Sequence, residues 1–116
     1  GHLVNLSGRQ RMLSQRMAKC FLFEQSGAGS EQLKTELEAA RRDFVAALAE
    51  LNAAPQNTPD IRTELGLANT QWLFFEQALN GKESRDIAAR NVATTSERIL
   101  EVMDSLTGQY EKLVRG

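Results

Sequence analysis

A chain of 116 residues with 41% hydrophobic residues and a formal net charge of -1 has the size and apolar content of one domain with one sizeable core. The near-neutral balance gives no electrostatic footprint for nucleic acid, because basic residues beyond the first predicted helix are interspersed with acidic ones. Cys20 stands alone, so an intrachain disulfide is excluded, and there is neither a signal peptide nor an apolar run near the roughly 18 residues that cross a bilayer. Gly1-His2 could be the remnant of an expression tag. Because the chain starts and stops in what read as continuing helices, residues 1–116 are expected to be a single domain excised from a longer, membrane-anchored protein.

Four helical segments are predicted. The first runs from about Leu3 to Gln25 and closes at Ser26-Gly27-Ala28-Gly29, where glycines permit left-handed backbone. At about 100° per residue, Leu3, Leu6, Leu13, Met17, Cys20 and Phe21 share one face and Val4, Ser7, Arg11, Ala18 and Leu22 the adjoining one. The first face suits the domain's own core, and the second suits a docked second helix. Ser30 caps the second segment, whose Leu33, Leu37, Ala40, Phe44, Ala47, Leu48 and Leu51 recur at three- and four-residue intervals. Pro55 and Pro59 place a loop over residues 52–60, with a third helix beginning near Thr58 and carrying Ile61, Leu65, Ala68, Trp72, Phe75 and Leu79 inward. After Asn80-Gly81 the fourth and longest helix presents Ile87, Val92, Ile99, Val102, Met103, Leu106, Tyr110 and Leu113. Short connections between such helices predict an all-α, antiparallel up-down-up-down four-helix bundle. Its two chain ends would lie at one end, able to enter one membrane.

Chemistry concentrates in the first segment, Asn5-Leu6-Ser7-Gly8-Arg9-Gln10-Arg11-Met12-Leu13-Ser14-Gln15-Arg16-Met17. Arg11 sits among small and apolar neighbours, and Gly8 costs roughly 1 kcal/mol relative to Ala inside a helix, which makes sense if another backbone or a ligand comes close. If the docked helix is the same helix of a second subunit, a two-fold axis brings two Arg11 side chains together. Facing guanidiniums repel unless an anion bridges them through charge-assisted hydrogen bonds.

These residues resemble the first-helix signature of the PilJ-type sensor domain of type IV pili chemotaxis-like receptors and some nitrate-responsive chemoreceptors. They are also similar to the P-box helix of nitrate/nitrite sensor histidine kinases. The resemblance implies a dimeric periplasmic four-helix bundle that binds nitrate or a related small anion between arginines of the two first helices. The pattern Gly-x-x-Arg-Met assigns ligand binding to Gly8, Arg11 and Met12, and Ser7 and Asn5 also match. The kinase version has no arginine where Arg9 stands, so ligation by Arg9 is not implied. The implied function is the extracytoplasmic sensor domain of a transmembrane chemoreceptor or signalling receptor. Its ligand would be nitrate, with nitrite as a second candidate, and binding would shift a packing equilibrium and move a helix.

Each of these residues has a plainer role. Arg11 could be a surface arginine paired with a carboxylate from another helix, and Arg9 and Arg16 point more than a quarter turn away from it. Met12 and Met17 read as packing residues, and Trp72 and Phe75 as core. No nucleophile-base constellation, phosphate loop or metal-ligand spacing is present, so no catalytic residue, metal or cofactor is expected and an enzyme is disfavoured. The competing reading is a ligand-free dimerisation or signal-transmission module, or a sensor of another small ligand. Anion dependence of dimerisation separates it from the sensor.

Overall fold

The computed structural model describes residues 1–81 and 83–115, and its helices follow the apolar periods of the sequence: α1 (His2–Phe23), α2 (Glu31–Ala53), α3 (Pro59–Leu79) and α4 (Arg85–Arg115). No strand occurs among the described residues.

The breaks have local causes. α1 widens after Phe23 into a π-helical turn over Glu24–Ala28, which ends where Gly27 takes φ 87°, a left-handed conformation that only glycine adopts freely. Gly29 is extended rather than left-handed, contrary to the sequence expectation. A Cβ there would lie 3.2 Å from the Glu24 backbone, so close approach is what favours glycine. The Ser30 hydroxyl accepts from Leu33 N–H at 3.2 Å and that of Thr58 from Ile61 N–H at 3.2 Å, with Pro59 in the first turn of α3. Both caps satisfy amide groups that helix starts leave orphaned.

Packing joins the helices in the spatial order α2, α1, α4, α3, with the α2–α3 seam much the thinnest. Along α1 and α2, His2 pairs with Glu50 and, two turns on, Arg9 with Asp43 and Gln10 with Phe44, so numbers on α2 fall from one end of α1 to its middle. Ser7 with Thr107 and Arg11 with Asp104 show the same ordering between α1 and α4. Long side chains span the α2–α3 seam. The Phe44 and Trp72 rings lie 4.7 Å apart, and Asn52 and Asn69 exchange amide hydrogen bonds of 2.9 and 3.0 Å.

The core contains the expected stripes, with Met17, Phe44, Leu51, Phe75, Val92, Ile99, Met103 and Leu106 fully buried. Ile87 and Leu113 are the departures, 49% and 40% exposed, because the first and last turns of the 31-residue α4 reach the edges of the core. Tyr110 is buried near the same end. Its hydroxyl donates to Asn57 Oδ1 at 2.8 Å while Asn57 Nδ2 donates to the Leu51 carbonyl at 2.7 Å. This ties α4 to the loop between α2 and α3. The molecule measures 49 × 24 × 18 Å. At its end, Gly1, Leu3, Val4, Leu113 and Val114 line one cavity of about 530 Å³, so the start of α1 and the close of α4 lie together.

Candidate functional site

α1 carries Arg9, Arg11, Arg16 and Lys19, and no acidic residue anywhere in it. In a chain whose acidic residues slightly outnumber its basic ones, this helix surface is a segregated positive stripe. Arg9 and Arg11 stand on opposite flanks of it. Arg9 Nη2 lies 3.3 Å from Asp43 Oδ2 on α2, and Arg11 Nη1 lies 2.6 Å from Asp104 Oδ1 on α4. Both pairs are about half-exposed, where an ion pair contributes at most about 1 kcal/mol. Among the described residues, Arg16 and Lys19 have no carboxylate within ion-pair distance.

The face expected to receive a partner is not free. Ser7 is fully buried and its hydroxyl lies 2.9 Å from that of Thr107, which in turn donates to the Met103 carbonyl at 2.8 Å. Three turns further along α1, Ala18 is buried and shares a cavity lining with Ser96 of α4, so α4 of the same chain covers the Ser7–Ala18 face. Ser7 is therefore a packing residue in this arrangement and not part of an open ligand surface. The physical reason is size: a serine that returns its hydrogen bond to its own helix lets α4 approach as closely as alanine would. Roughly a quarter turn round the helix, the solvent-facing line is Asn5, Gly8, Met12, Gln15 and Lys19. Asn5 is exposed, Met12 is 44% exposed, and a Cβ on Gly8 would meet nothing within 4 Å. The structure thus brings Asn5, Gly8 and Met12 to one surface with Arg11 on its α4-side rim.

Two further groups went unread in the sequence. Gln10 is fully buried, and its Nε2 donates to the Phe44 carbonyl at 2.9 Å, anchoring α1 to α2 beneath the positive stripe. Asp104 and Asp43 supply the countercharges, and only the register between helices distant in sequence reveals them.

Beyond Met12, a groove of about 460 Å³ runs between α1 and α2, lined by Arg16, Lys19, Cys20, Phe23, Leu33 and Glu36 among others. Burial and then the neighbouring Glu36 carboxylate push the Cys20 thiol up from its ordinary value of 9.0. The thiol stays protonated at neutral pH and is a poor nucleophile. Neither this groove nor the apolar end cavity includes Arg11 or Gly8. Arg11 is about half-exposed and a Cβ on Gly8 would meet nothing within 4 Å, so in one chain both belong to an open helix surface.

No curated protein and no solved structure matches the chain significantly. One sequence family does, described as the type IV pili methyl-accepting chemotaxis transducer N-terminus, over residues 1–97. That span takes in all of α1, α2 and α3 and the first turns of α4, and with them the signature Asn5–Met17. The family is one of signalling domains, and the chain belongs to it: this is a PilJ domain, the N-terminal domain of a chemotaxis transducer.

Proposed function

We propose that this domain senses a small inorganic oxyanion, nitrate foremost, held between the first helices of two chains in the extracytoplasmic part of a transmembrane chemotaxis receptor. The observation that carries the reading is the segregation of charge on α1, four cations and no acid on a helix whose outward line includes an unobstructed Gly8. Two such helices facing each other across a two-fold axis repel when empty. A planar oxyanion between two guanidinium forks accepts several charge-assisted hydrogen bonds and converts the repulsion into a bridge. Arg11 supplies the fork, Gly8 the close approach, and Met12 and Asn5 the rim. The up-down-up-down course of the helices, with the start of α1 beside the close of α4, lets both ends lead toward one periplasm-facing membrane surface. Among the described residues, no helix is long and apolar enough to cross that membrane itself.

A second reading, a ligand-free dimerisation or transmission module, draws on the Arg11–Asp104 pair, which satisfies the guanidinium without a ligand. Calorimetric titration with nitrate, nitrite, chloride and sulfate, with sedimentation followed in parallel, separates the two. The sensor reading expects saturable nitrate binding near one ion per two chains, coupled to dimerisation by mass action. It also expects loss of binding in Arg11→Ala with helical content kept. Wild-type affinity in Arg11→Ala refutes the assigned site, and no binding of any of the four anions at millimolar concentration favours the ligand-free module.

A further inference from the structure

Arg11 is already engaged in the single chain. Asp104 Oδ1 lies 2.6 Å from Arg11 Nη1, so a carboxylate oxygen occupies one of the donor positions that an inorganic oxyanion would use. The position of Asp104 is not neutral. On its other side it lines a groove with Asp60 and Glu64 of α3, and Lys112 is the cation of that groove. Losing Arg11 would leave Asp104 in a groove that holds two like charges from α3 and one cation, Lys112. Ser7 and Thr107 join the same two helices one turn away. Among the described residues, one ion pair and one hydroxyl contact thus join α1 to α4 at this level, beside the apolar core that both helices share.

We propose that Asp104 is a built-in competitor for the sensed anion. It holds Arg11 in the empty domain, and an oxyanion shared by two Arg11 side chains displaces it. Binding then releases α1 from α4 at this level while the Arg9–Asp43 link to α2 stays intact. This rests on the reading of Arg11 as the anion ligand. Asp104 sets the affinity, because the fraction of Arg11 that is unlatched scales the observed binding constant. It also supplies the coupling, because the ion pair broken by the ligand is one of the links between α1 and α4.

The test is nitrate titration of the whole domain at one fixed ionic strength, comparing the wild type with Asp104→Asn, Asp43→Asn and Arg11→Ala. Removing the competitor should tighten nitrate binding about two- to fivefold, the worth of one half-exposed ion pair. Asp43→Asn removes the same charge from the other flank of α1 without touching Arg11, so it should leave the affinity within about twofold of wild type, as expected for a screened surface charge. Unchanged or weaker binding in Asp104→Asn overturns the competition, as does an equal gain in both aspartate variants, which would make the effect a general field. Wild-type affinity in Arg11→Ala, or no anion binding by the wild type, instead removes the anion site itself and the competitor with it.

Discussion

Replacing Gly8 by alanine should have opposite effects on the free domain and on the liganded one. Inside an α-helix glycine is less favourable than alanine by about 0.5–1 kcal/mol. The new methyl would meet no atom within 4 Å, so nothing in the single chain offsets that gain. For a domain of this length the melting temperature should rise by about 2–5 °C in nitrate-free buffer, read by circular dichroism at dilutions where sedimentation shows monomer. In the proposed dimer, Gly8 lies where two α1 backbones approach, and the two-fold axis doubles the added volume. Overpacking of this kind costs about 1–3 kcal/mol, so nitrate binding should weaken by about tenfold or more. Gly8→Leu should abolish it. A variant that melts higher and still binds nitrate as the wild type does would show that no second backbone or ligand comes near Gly8, and the face-to-face arrangement of α1 would have to be abandoned. A lower melting temperature would instead mean that the position is constrained within the chain itself.

Tyr110→Phe removes the 2.8 Å bond to Asn57 Oδ1 and leaves a buried acceptor unpaired, at a cost of about 1–3 kcal/mol. Denaturant unfolding measures it, and in a double-mutant cycle Asn57→Ala should make the loss less than additive. The buried Cys20 thiol predicts alkaline sensitivity. Because the fold raises its ionisation above the ordinary 9.0, the folded chain keeps a proton that the unfolded chain loses. Its contribution is therefore intact below pH 9.0 and declines as pH rises from there toward the shifted value. Melting temperatures across pH 8–10.5 should fall less steeply in Cys20→Ala than in the wild type, and parallel curves would remove the thiol as the cause.

Caps and stripes were legible in the chain because they depend on residues three or four apart. Ser30, Thr58 with Pro59, and the inward positions of α2 and α3 are local matters of hydrogen-bond geometry and helical period. The signature Asn5–Met17 was legible too, and it led to the family. The outward face of α1 was not. Ser7, Gln10 and Ser14 look polar in a periodicity argument, yet all three are buried. The serines bond back to carbonyls of their own helix and Gln10 reaches that of Phe44. Counting apolar residues therefore put the second contact face a quarter turn from where the solvent-facing line lies. The Asp104 partner of Arg11 was equally hidden, since no local pattern fixes the register of helices separated by two others. The expectation of a carboxylate from another helix matched its chemistry without locating it.

The thin seam between α2 and α3 divides the mechanical labour of the bundle. Three of its four helix contacts are broad, so the helices form an arc closed along one edge by a ring stack and an amide pair. The backbones stand apart along that edge because the buried rings of Phe44 and Trp72 fill it, and it lies opposite the α1–α4 seam. A small displacement of α1 against α4 therefore meets, on the far side of the bundle, an edge held by side-chain reach and not by close backbone packing.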